Sequence, residues 1–216
     1  MQYSKALLYQ RLQKKLDLYG ITKDWYPLKA IDIVEQIPNF ILKFHKFESV
    51  HIGAVLIRGK QDGIMVNAKK SELDQNFDIA HELMHYWLHP AASSYLSLDT
   101  PNQNSKFEWE ANEGAAQLLV PYQDFIPRFL NIAAVIEENH MSINDLYQHL
   151  SKHYKVQEVV IDYRIQNLDA EIMQYHFGAS LQNIALSKTV KPLDRQNKTY
   201  SITKEFLNSL KRQKII

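Results

Sequence analysis

The stretch SELDQNFDIAHELMHYWLHP, residues 71–90, leaves a folding chain few choices. Ser71 and Asp74 form a capping pattern at its start and Pro90 stops it, so the segment reads as a single helix of about four or five turns. Leu73, Phe77, Ala80, Met84 and Trp87 recur at spacings of three and four and make an apolar stripe for a core. Asp78, His81, Glu82, His85 and His89 gather on another face. A helix that must bury one face and carries three histidines and two carboxylates on the other is built to hold something.

His81 and His85 stand one turn apart in HELMH, so both imidazoles project from the same face, close enough to share a tetrahedral ion. Glu82 sits beside them, where a carboxylate can take a proton from water in the open position of a catalytic zinc site. With nine histidines in 216 residues, a chance HExxH is expected roughly 0.02 times. Zinc is the expected metal, although the same ligand types accept other divalent ions.

A catalytic site needs a third protein ligand. His89 lies eight residues after His81 with no glycine between, unlike the pattern in which a glycine turn brings in a histidine at ten. A glutamate from the next helix, the gluzincin arrangement, is met by Glu108 in EWEAN, and Glu108 is the chosen ligand. Ser105 followed by Glu108 also fits a capping box, in which the glutamate would reach back to backbone. Glu110 and Glu113 are the alternative ligands; on a helix they point about 200° and 140° away from Glu108, so no two of the three readily share an ion. Asn112, one turn after Glu108, is placed to orient a zinc-bound histidine without touching the ion.

The rest of the chain supplies the frame. Residues 3–19 place Leu8, Leu12, Leu16 and Tyr19 at helical spacing and end at Gly20. A short helix is expected over 27–37, with Pro27 near its first turn and Pro38 beyond its end. FILKFHKF, VHIGAVLI and IMVNA read as three antiparallel strands between Phe40 and Asn67, with GKQDG turning between the last two. After a loop rich in Ser, Asn and Pro, KFEWEANEGAAQLLVP is a helix closed by Pro121. Residues 123–138 and 142–169 read as further helices, the latter broken near Lys155. The expected fold is α+β: a small antiparallel sheet packed on a zincin-type active-site helix, then a mostly helical C-terminal half. The expected organisation is a core at 1–122, a helical region at 123–177 and a basic segment at 178–216.

Formal net charge is only +1, yet residues 178–216 hold eight Lys/Arg against Asp194 and Glu205, or +6, leaving −5 for the first 177. Such a run is read as a solvated face or end before it is read as a nucleic-acid grip. No 18-residue apolar run occurs, and Lys5 and Arg11 flank an apolar stretch too short for an export signal. The chain has no cysteine, which is compatible with a reducing cytoplasm, the expected location.

FDIAHELMHYWLH followed by EWEANEGAAQLLVP resembles the ImmA/IrrE family of metallopeptidases, densely over about residues 64–121. That family usually has Phe where Gly114 stands, a departure that bears on packing more than on catalysis. The resemblance implies His81, His85 and Glu108 as zinc ligands and Glu82 as general base. It also implies a protein substrate: members cleave a helix-turn-helix repressor encoded nearby, often in mobile elements or stress regulons. SINDLYQHLSKHYKVQEVVIDYRIQNL is similar to the helical region that follows the peptidase core in this family, so the resemblance implies a helix-turn-helix-like region at 123–177. Over 142–169 three basic residues face four acidic ones, a net of −1, which argues for packing or protein docking and against direct nucleic-acid contact.

Two rivals remain at this level: a non-catalytic regulator that binds protein or nucleic acid, and a toxin or antitoxin partner built on a peptidase fold. HELMH favours the enzyme, since binding alone has no need of Glu82. Tyr86, Tyr95, His89, His140, His149 and His153 are all candidates for stabilising an oxyanion. Oligomeric state is not legible.

Overall fold

The computed structural model describes residues 4–90, 105–138, 142–188 and residue 208. The chain divides into two compact units, one of residues 6–119 and one of residues 2–5 with 120–216.

In the first unit, helix α1 (Lys5–Leu18) buries Leu8, Leu12 and Leu16 and ends at Gly20, which takes a φ of +65°. A short 3-10 turn at Lys23–Trp25 follows, then α2 (Ala30–Val34). α2 is shorter than expected, and Pro27 lies before it rather than in its first turn. The start is fixed instead by Asn76, whose Oδ1 accepts from the Ala30 amide at 2.7 Å while its side-chain nitrogen donates to Leu28 O at 3.3 Å.

Strands β1 (Ile41–His45), β2 (Ala54–Ile57) and β3 (Gly63–Asn67) form one sheet in the order β1-β3-β2. β2 and β3 are an antiparallel hairpin, but β1 runs parallel to β3, so the sheet is mixed and the expectation of an all-antiparallel sheet is corrected. The connection at 46–53 carries the chain past β3 to its far side, leaving β1 beside β3 in the same direction. Residue alternation identifies a strand but not the direction of its neighbour.

α3 (Glu72–Leu88) carries HELMH. Ser71 caps it, its hydroxyl accepting from the Asp74 amide at 3.2 Å, and the helix ends at His89 before Pro90. α4 (Ser105–Leu119) packs against it. Between the sheet and α4, α3 is covered on both faces: Phe77, Ala80, Leu83 and Met84 are buried, and so are Asp78, Glu82, His85 and His89. Gly114 permits the close approach of the two helices, because a Cβ there would stand 2.8 Å from Met84 Sδ. Asp78 similarly lies where a Cβ on Gly53 would be, 2.2 Å from Asp78 Oδ2.

The second unit is helical among its described residues: α5 (Tyr122–Glu138), α6 (Ile143–Tyr154), α7 (Glu158–Asn167) and α8 (Asp169–His176). α6 opens with a capping box between Ser142 and Asp145, and the expected break falls at Lys155, which takes the left-handed conformation that ends the helix. Phe125, Phe129, Leu146, Leu150, Ile161, Ile165 and Ile172 form its core. Lys5 and Glu171, both fully buried, pair at 2.7 Å. Among the described residues no helix is long and apolar enough to cross a membrane. The basic run after Lys188, the loop at 91–104, Tyr95 and His140 lie outside the described residues.

Candidate metal centre

Helical spacing puts His81 and His85 on successive turns of α3, and their Nε2 atoms stand 3.0 Å apart. α4 delivers Glu108 to the same point: Oε2 is 3.5 Å from His81 Nε2 and Oε1 is 3.4 Å from His85 Nε2. The three donor atoms lie within 4.8 Å of one another. Donors bound at about 2.0–2.2 Å around a tetrahedral ion are separated by about 3.3 Å, so the spacing fits. Two imidazole nitrogens and one carboxylate oxygen are also a donor set suited to a divalent ion of intermediate softness. Among the described residues this is the group able to hold one.

Each histidine has its other ring nitrogen engaged. His81 Nδ1 is 3.0 Å from Asn112 Oδ1, on the turn of α4 after Glu108, and His85 Nδ1 is 3.0 Å from His89 Nδ1. Both rings therefore keep Nε2 for the common point. His85 is nearly covered, whereas the Glu108 side chain is 45% exposed and forms the open side of the cluster. Desolvation opposes ionisation of Glu108, but hydrogen bonds to His81 and His85 and their charge outweigh it and hold the carboxyl well below the usual range.

Glu82 is buried next to the cluster and accepts the Leu56 amide of β2 at 2.9 Å through Oε2. Burial lifts its carboxyl above the usual carboxylate range; the charge of His81 and His85 and the Leu56 amide pull the other way without cancelling the lift. A carboxyl whose affinity for a proton is raised is a better proton acceptor than an exposed one.

The alternative glutamates are engaged elsewhere. Glu110 Oε2 is 2.9 Å from His89 Nε2, with Arg11 Nη1 and Lys106 Nζ on its other oxygen at 3.4 and 3.7 Å. Glu113, fully buried, accepts from Tyr9 Oη of α1. The end of α3 is held by two arginines that sequence reasoning did not single out for this role. Arg11 donates to Leu88 O at 2.7 Å, and Arg58 to His85 O and His89 O at 3.1 and 3.2 Å while lying over the Tyr86 ring. Cations there add a donor to carbonyls of the last turn, including His85 O, which also accepts the His89 amide at 3.1 Å, and complement the helix dipole. Of the oxyanion candidates, Tyr86 packs on Phe40 and Arg58. His89 is held between His85 and Glu110, and His149 and His153 belong to the second unit.

The sequence model of a peptidase family, described as the IrrE N-terminal-like domain, matches residues 31–166, a span that contains every residue of this cluster. No curated protein matches the chain. A match over more than half of the sequence, one that contains the paired histidines, means that the chain belongs to the IrrE N-terminal-like family of peptidases.

Proposed function

We propose that the chain is a zinc-dependent endopeptidase that makes a regulatory, site-specific cut in a helix-turn-helix repressor. The observation that carries the enzymatic part is the convergence of His81, His85 and Glu108 beside a buried glutamate that is not itself among the donors. In this reading those three residues hold the ion. Zinc there supplies Lewis acidity, polarising a carbonyl and bringing water close to ionisation at neutral pH.

The chain's own residues do the rest. Glu82 takes the proton from the attacking water and returns it to the departing amine, which balances the hydrolysis of one peptide bond by one water. The Leu56 amide anchors Oε2 of Glu82, and in this reading Oε1 carries the proton transfer. Asn112 fixes the His81 ring. The repressor substrate is supported by family membership and by the acidic balance of residues 142–169, which suits protein docking better than phosphate contact.

The test is co-expression with a helix-turn-helix repressor, scoring a discrete fragment with the wild type, with Glu82→Gln and with a chelator present. Cutting by the wild type alone is expected. Fragments persisting in both controls would remove the catalytic role, and release of the repressor without any fragment would favour a binding regulator.

A further inference from the structure

His89 is the residue at which α3 ends, and it is almost fully buried, with its ring stacked on Phe107 of α4 at 4.3 Å. Both its nitrogens are in use, Nδ1 at 3.0 Å from His85 Nδ1 and Nε2 at 2.9 Å from Glu110 Oε2. Two ring nitrogens facing each other need one donor and one acceptor. The Glu110 carboxylate, flanked by Arg11 and Lys106, can only accept, so the proton of a neutral His89 sits on Nε2. His89 Nδ1 is then the acceptor and His85 Nδ1 the donor. That leaves the lone pair of His85 on Nε2, the atom that faces His81 and Glu108.

We propose that His89 is a positioning residue for the metal centre: it relays the Glu110 carboxylate to His85 and so fixes the tautomer and ring orientation in which His85 presents Nε2. The relay runs Arg11 and Lys106 to Glu110, Glu110 to His89, and His89 to His85. His81 obtains the same tautomer directly from Asn112. An outer partner of this kind raises the basicity of a ligating imidazole and removes the cost of orienting it on binding. The inference rests on the reading of His81, His85 and Glu108 as metal ligands.

The test uses the full chain and zinc alone. His89→Phe keeps a ring to stack on Phe107 but removes the acceptor, and His89→Asn places a side-chain oxygen near the former Nδ1. By competition with a chromophoric chelator, His89→Phe should bind zinc about 10–100-fold more weakly than wild type, and His89→Asn should recover most of the loss. In nitrogen-15 spectra of the zinc-loaded wild type, His85 should carry its proton on Nδ1, hydrogen-bonded, and the metal on Nε2. If His89→Phe does not fold, the wild-type spectrum decides by itself. Unchanged zinc affinity in a folded His89→Phe, no recovery by His89→Asn, or zinc on His85 Nδ1 would each overturn the relay while leaving the metal centre intact. A wild type that binds no zinc would overturn both.

Discussion

The Leu56 amide donates to Glu82 Oε2 at 2.9 Å, tying the edge strand β2 to the carboxylate beside the paired histidines. The contact holds the group proposed to move protons and also satisfies a strand amide. These two duties separate on mutation. Glu82→Gln keeps an oxygen for Leu56 and should leave the metal-free protein no less stable than wild type, since the replacement removes a buried carboxylate. Glu82→Ala strands the amide and should be less stable than Glu82→Gln by about 1–3 kcal/mol in denaturant unfolding. Equal stability of the two variants would mean that the amide finds another partner.

Glu108, Glu110 and Glu113 share one helix but face different partners, so their variants should differ in kind. Glu108→Ala should lose zinc at micromolar protein, as read by metal analysis after gel filtration. Glu113→Ala should keep one zinc per chain and lose stability, because it empties a buried site and leaves Tyr9 Oη without this acceptor. Zinc retained by Glu108→Ala and lost by Glu113→Ala would assign the third ligand wrongly.

Much of this was legible in the sequence. Ser71, Pro90 and Lys155 mark helix ends through local chemistry, a cap, a missing amide and a left-handed stop, and each lies where it was expected. His81 and His85 could be paired because helical periodicity fixes which residues share a face, and Glu108 could be chosen over Glu110 and Glu113 because a glutamate from the following helix fits the gluzincin arrangement and the family resemblance. The parallel pairing of β1 with β3 could not, since it depends on where residues 46–53 carry the chain. Nor could the shortness of α2, whose start is set by Asn76, 46 residues away from Ala30 in sequence. The Arg11–Glu110–His89 relay was hidden for the same reason: it exists only once α1 and α4 meet the end of α3.

Two glycines allow close approaches of unequal stiffness. A Cβ on Gly53 would meet the buried Asp78 carboxylate at 2.2 Å, one turn before Glu82, whereas on Gly114 it would meet the flexible Met84 thioether at 2.8 Å. Gly53→Ala should therefore cost about 1–3 kcal/mol, and Gly114→Ala should cost less because Met84 can change rotamer. Thermal melts of the two metal-free variants check the order. The reverse order would contradict the packing described for α3.

In the second unit, burial works against ionisation of Asp124, but Arg128 Nε and Nη2 at 3.1 and 3.0 Å and Tyr154 Oη at 2.6 Å outweigh it and hold its carboxyl below the usual value of 3.8. A folded-state value below the unfolded one contributes stability that is present above the unfolded pKa and lost as pH falls through the folded pKa. The stability gap between wild type and Asp124→Asn should be widest near neutral pH and close as pH falls below about 4. A gap that stays constant across this range would mean that the Asp124 ion pair contributes nothing.

The most direct test of the metal centre is anomalous diffraction at the zinc edge from crystals of the zinc-loaded wild type. One peak per chain is expected, bonded to His81 Nε2 and His85 Nε2 at about 2.0–2.1 Å and to a Glu108 oxygen at about 2.0–2.2 Å, with Glu82 outside bonding distance. No peak there, or a peak ligated by Glu110, Glu113 or Glu82 in place of Glu108, would contradict the account.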